Sequence, residues 1–123
     1  MFHINTHSSE PIFEQLVTQV TRYIALHLLA EDDQLPTVRN LAKELAINPS
    51  TVSKAYQICE KEGFIYSIPG KGFFVSRNNN AQQAVQKELY RQLESSYYKL
   101  REFGETHDGI LKHIQSMEGE FHD

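Results

Sequence analysis

Cysteine is nearly missing. Cys59 is the only one in 123 residues, which excludes a disulfide within the chain and any thiolate-rich zinc site built from one copy. Such usage fits a reducing compartment. No apolar run approaches the ~20 residues that a bilayer-spanning helix needs, and the first residues lack the charged-then-apolar layout of a signal peptide. A soluble, cytoplasmic protein with no membrane partner is expected. No nucleophile–base pair, phosphate-binding loop or paired carboxylates can be placed, so neither an enzyme nor a cofactor is expected. Internal repeats and low-complexity tracts are absent as well. The length suits one compact core with an appendage better than two full domains.

Positive charge is also short overall. The net charge is −4, which counts against a nucleic-acid partner, because affinity for phosphates comes mainly from Lys and Arg. The distribution of charge matters more than its sum. Between residues 34 and 80, Arg39, Lys43, Lys54, Lys61, Lys71 and Arg77 face three glutamates, a local net of +3. From residue 81 onward eight acidic side chains outnumber five basic ones. An acidic tail would be repelled by DNA and suits another role.

The apolar pattern gives the elements. Ile12, Leu16, Val20, Ile24 and Leu28 recur every four residues, with Phe13 and Val17 widening the stripe, and predict a first helix. Pro11 suits its first turn, and Ser8, Ser9 and Glu10 are placed to cap it. Glu31 to Gln34 break the pattern and Pro36 disfavours helix at Leu35, so the chain turns there. Thr37 then caps a short helix that buries Leu41, Ala42 and Leu45 and ends near Ala46. Asn48 followed by Pro49 is the strongest start signal in the chain, with Ile47 set to clamp against Val52; this third helix should end at Gly63. Two short helices joined by a tight turn form a helix-turn-helix pattern.

Phe64 to Ile68 and Phe73 to Val75 are rich in β-branched and aromatic residues, and Pro69-Gly70-Lys71-Gly72 between them is turn chemistry. A β-hairpin follows. After Asn78 to Asn80, Val85, Leu89, Leu93, Tyr97 and Leu100 share one side of a long helix ending near Gly104. Thr106 caps a last helix carrying Ile110, Ile114, Met117 and Phe121 at heptad-like spacing.

At about 100° per residue, Ser53, Lys54, Gln57 and Lys61 fall within about 60° of Ser50, while Val52, Ala55, Tyr56 and Cys59 cluster opposite. Hydroxyls, an amide and an ammonium are what a major groove asks for, and Ser50 and Thr51 are placed to offer backbone amides to a phosphate. Every surface helix has a polar face, so the neighbouring hairpin is needed to give this one meaning. Lys71 between Gly70 and Gly72 suits close approach to a minor groove, and Arg39 suits a phosphate clamp; each reads equally as ordinary surface charge. His3 and His7 have helical ligand spacing, but no third ligand is near and no metal site is expected. Cys59 reads as packing rather than a redox switch.

Leu35-Pro36-Thr37-Val38-Arg39-Asn40-Leu41-Ala42, Ile47 to Tyr56, Glu62-Gly63 and Gly70 to Val75 together resemble the DNA-binding domain of the GntR family of bacterial regulators. About 45 residues follow the hairpin, so the chain looks like the short-tailed YtrA-type branch. The resemblance implies that Arg39 contacts DNA, that Ser50, Thr51, Ser53 and Lys54 enter the major groove with Gln57 on the same face, and that Gly70, Lys71 and Gly72 reach the minor groove. Where Pro49 and Ser53 stand, the wider family often has arginine; Lys54 is the expected substitute.

The expected fold is therefore mainly α with a small β-hairpin: a winged helix-turn-helix over 10–77, then a two-helix dimerisation extension over 81–123. A helix of about 20 residues with an apolar stripe must bury it, and a second copy is the natural cover for Val85, Leu89, Leu93, Tyr97, Leu100, Ile110, Ile114 and Met117; the other option is folding back on the winged domain. The expected function is a sequence-specific transcription regulator, a repressor, binding a palindromic operator as a homodimer. The alternative is a winged-helix protein-interaction module that binds no DNA. Tyr90, Tyr97, Tyr98 and Phe103 also leave open a pocket for a small-molecule effector.

Overall fold

Helix α1 covers Ile12–Ala25 and turns Leu16, Val20 and Ile24 into the core. A computed structural model of the chain describes residues 1–119; Phe121 and His122 lie outside the described residues. Pro11 is the N-cap rather than the first helical residue, and no side chain caps the helix. Ser8 instead accepts from the Glu10 amide, and Gln15, a buried helix residue, donates to the Glu10 carbonyl. The apolar stripe also stops early. The helix ends at Ala25, His27 takes a left-handed φ of 59°, and Leu28 is exposed while Leu29 is buried in its place. A left-handed residue shifts the register by one, which is why the four-residue spacing fails at its last member.

Helix α2, Val38–Leu45, begins as its cap dictates: Thr37 Oγ1 accepts from the Asn40 amide. Ala46, with φ 56°, closes it. Helix α3, Pro49–Lys61, starts with Asn48 Oδ1 accepting from the Ser50 amide, and after it Gly63 adopts φ 82° while the Phe64 amide returns to the Cys59 carbonyl. That is the left-handed exit for which glycine carries no steric penalty. Strand β1 (Ile65–Ile68) pairs antiparallel with β2 (Gly72–Val75), Ile65 opposite Val75 and Ile68 opposite Gly72.

The loop before α2 adds a further edge to this hairpin. The Asp32 amide donates to the Val75 carbonyl, the Val75 amide to the Asp33 carbonyl, and the Leu35 amide to the Phe73 carbonyl. Leu35, Leu41, Val52, Tyr56, Ile65 and Val75 then close one core with α1. Tyr56 is fully buried, its hydroxyl donating to the Pro36 carbonyl and its ring edge-on to Phe73.

Residues ahead of α1 belong to the same core. Phe2 is buried and stacks on Tyr23, while the side-chain amides of Gln19 and Gln15 exchange hydrogen bonds with the backbone of His3 and Asn5.

Helix α4 (Ala81–Glu102) starts after Asn79 Oδ1 accepts from the Ala81 amide. Helix α5 (His107–Ser116) is capped by Thr106 Oγ1 accepting from the Gly109 amide. The chain divides into two compact units, Met1–Val85 and a second from Gln86 onward. No described helix is long and apolar enough to cross a membrane.

Candidate nucleic-acid interface

Helix α3 is two-sided. Val52, Ala55, Tyr56 and Cys59 are buried; Ser50, Lys54 and Gln57 are exposed or partly so, and Thr51 and Ser53 are half-exposed. The apolar half fixes the helix on α1 and α2, so the polar half is presented on a rigid element rather than on a loop.

The site differs in detail from what spacing alone suggests. The Ser50 and Thr51 amides are not free for a phosphate: Ser50 donates to Asn48 Oδ1 at 2.9 Å, and Thr51 to the Asn48 carbonyl at 3.0 Å. A strong N-cap satisfies the very donors that an anion would need. The Ser50 hydroxyl also donates to Asn48 Oδ1. Lys54 lies with its ammonium 3.8 Å from the centre of the Phe13 ring, a cation–π contact with the start of α1. Gln57 donates weakly to the Ser53 hydroxyl at 3.4 Å.

Arg39 lies in the first turn of α2 and makes no ion pair among the described residues. Lys71 is exposed at the tip of the hairpin, between Gly70 at φ 78° and Gly72 at φ 123°. Both glycines adopt backbone that L side chains rarely take.

Three residues that sequence reasoning passed over shape this surface. Gln34 Nε2 donates to the Lys71 carbonyl at 2.8 Å. Glu60, on α3, accepts from both the amide and the hydroxyl of Ser67 on β1. Asp32 accepts from Arg77 Nε at 2.5 Å and from the Tyr66 hydroxyl at 2.9 Å. The hydrogen bond from Arg77, then that from Tyr66, holds the Asp32 carboxyl below its ordinary value, and the bond to Asp32 raises the Tyr66 phenol. Arg77, counted among the basic residues above, is thus already paired.

Elsewhere chemistry is quiet. Burial, reinforced by the Glu62 charge, pushes the Cys59 thiol up to about 12, so it stays protonated and unreactive. Among the described residues no group of three or more His, Cys, Asp or Glu could hold a metal.

In the tail, Leu89, Leu93, Leu100, Ile114 and Met117 are exposed, Val85 and Tyr97 half-buried, and Ile110 buried by its own chain. Helices α4 and α5 form a largely apolar cleft of about 370 Å³ lined by Leu93, Tyr97, Leu100, Ile110, Ile114 and Met117. The Tyr97 hydroxyl accepts from Arg101 and contacts His107 Nδ1 at 2.9 Å.

A short capped helix, a tight turn, a second helix with a polar outer face and a β-hairpin define a winged helix-turn-helix, the architecture of DNA-binding regulators. Comparison with known proteins identifies the same class. The sequence pattern of the bacterial regulatory proteins, gntR family, matches residues 12–75, and the chain belongs to that family as a DNA-binding transcription regulator. It is 30% identical to the HTH-type transcriptional repressor YtrA of Bacillus subtilis, over 97% of this chain and 96% of the relative. A transcriptional regulator from Oenococcus oeni superposes with a TM-score of 0.81 at 31% identity, covering 95% of this chain and 98% of that one. YtrA from Sulfolobus acidocaldarius, a GntR-family transcription factor, gives 0.60 at 32% identity over 76% and 97%. These relatives are regulators, not enzymes.

Proposed function

We propose that this regulator is a cytoplasmic repressor that binds a palindromic operator as a homodimer, with the winged domain (10–77) reading DNA and the tail (81–123) pairing the copies. The observation that carries the DNA reading is the outward set on α3: Ser50, Ser53, Lys54 and Gln57 face away from the core, and Lys71 is exposed at the hairpin tip. Hydroxyls and the Gln57 amide suit base edges, Lys54 suits guanine acceptors or phosphate, and Arg39 and Lys71 suit the backbone and the minor groove. Repression follows from covering the site against polymerase. The tail supports pairing, because Leu89, Leu93 and Leu100 leave a continuous apolar stripe open along α4, and burying each is worth up to about 1.5 kcal/mol before entropy is subtracted. Two-fold symmetry places the recognition helices on half-sites ~34 Å apart, so the site is an inverted repeat.

Selection of bound sites from random duplex DNA, followed by gel shift at graded salt, tests this. An inverted repeat should emerge, with affinity falling steeply as salt rises. Lys54→Ala should weaken binding by about tenfold and relax base preference at one position per half-site. Failure to shift any duplex at low salt would favour the protein-interaction reading.

A further inference from the structure

The hairpin is fastened by side chains outside the DNA-facing set, and its tip is held by one of them. Gln34 Nε2 donates to the Lys71 carbonyl across 37 residues of sequence. The same nitrogen comes within 3.1 Å of where a Cβ on Gly72 would stand, so amide and glycine fit against each other and the Lys71-Gly72 peptide has a fixed seat. Below the tip, Glu60 holds Ser67, and at the base Asp32 holds Tyr66 and Arg77. Within the last turn the Lys71 amide donates to the Ile68 carbonyl at 2.9 Å, and Gln34 is the side chain that holds the carbonyl side of the same residue. Gly70 and Gly72, both at positive φ, make that turn soft. The Lys71 side chain makes no hydrogen bond or ion pair among the described residues, so its direction is set by its backbone, which the Ile68 carbonyl holds at the amide and Gln34 holds at the carbonyl.

Resting on the reading that Lys71 reaches DNA, we propose that Gln34 is a positioning residue for the wing: it raises DNA affinity by presetting the Lys71-Gly72 peptide, without touching the DNA itself. A preset turn loses less conformational freedom when its ammonium is fixed against a phosphate. Gln34 is exposed and adds little to the core, so its removal should act on the wing rather than on folding.

The test compares the full chain with Gln34→Leu, which keeps most of the side-chain volume but removes the donor, with Lys71→Ala, and with the double variant, by fluorescence titration of a selected duplex over a salt series. Lys71→Ala should lower affinity about tenfold and reduce the salt slope by about one. Gln34→Leu should lower it about threefold, with the Lys71 and Gly72 amide resonances displaced and the melting temperature held within a few degrees. The double variant should bind no worse than Lys71→Ala alone. Gln34→Asn, too short to span the gap, should match Gln34→Leu. A threefold loss that persists in the Lys71→Ala background, or no loss from either Gln34 variant, overturns the positioning role while leaving the DNA reading intact. Wild-type protein that binds no duplex, or Lys71→Ala that binds as well as wild type, overturns the wing reading and the proposal with it.

Discussion

The two units of the chain treat their apolar side chains in opposite ways. In Met1–Val85, Leu16, Val20, Val52 and Tyr56 are fully covered by the chain's own elements. In the unit from Gln86 onward, Leu89 is 51% and Leu93 50% exposed, and Phe103 is 88% exposed. One region closes a core within a single copy, although Leu26 and Leu28 stay exposed; the other leaves most of its large apolar side chains open to solvent. A DNA reader needs the first property, because base contacts demand side chains held rigidly. A pairing element needs the second, since its cover is supplied on assembly.

The contrast can be broken most severely in the winged unit. Leu16→Ala should destabilise it by about 3 kcal/mol, through lost transfer energy and a cavity in the core beneath α1, read as a lower urea midpoint. A loss under about 1 kcal/mol would mean that this core is not closed. In the tail the corresponding change should act on assembly instead. Leu93→Lys should convert dimer to monomer in sedimentation and weaken operator binding by about tenfold or more through lost bivalency, with the urea midpoint of the winged unit retained. Parallel loss of both quantities would erase the distinction.

The smallest effect sharpens the comparison inside the winged unit. Asp32 has its carboxyl held below the ordinary 3.8 by Arg77 and then Tyr66. A group lowered on folding stabilises the fold above its unfolded value, and that contribution is lost as pH falls through the lower folded value. Exchange protection of the Val75 amide, which this loop engages, should therefore hold from neutral pH down to about 3.8 and fade only beneath it. Asp32→Asn should remove the dependence, and fading that begins near pH ~6, the range of a histidine, would assign it to another group.

What could be read from the sequence divides along the range of the contacts. The Thr37 and Asn48 caps, Pro49, Gly63 and the hairpin turn act over a few residues, and each element they mark is present. The two faces of α3 likewise follow from helical spacing alone. The third edge of the hairpin was not legible, because Glu31 to Gln34 carry no alternating pattern and their partners lie roughly forty residues away. Phe2 showed no sign of its buried place for the same reason. Leu28 misled because a helix stop at a non-glycine left-handed residue, His27, leaves no compositional mark. At the site, spacing showed which side chains face outward but not what they already hold, so the capped Ser50 amide and the Lys54–Phe13 contact emerge only in the folded chain.

The buried thiol of Cys59 has a practical consequence. A lone sulfhydryl that is fully buried on the inner face of α3, its pKa raised by that burial, should leave the folded protein a low background for maleimide chemistry. A cysteine introduced on the hairpin tip or along the tail would take up a dye alone, so single-molecule distance measurements can begin from the natural sequence without first deleting anything.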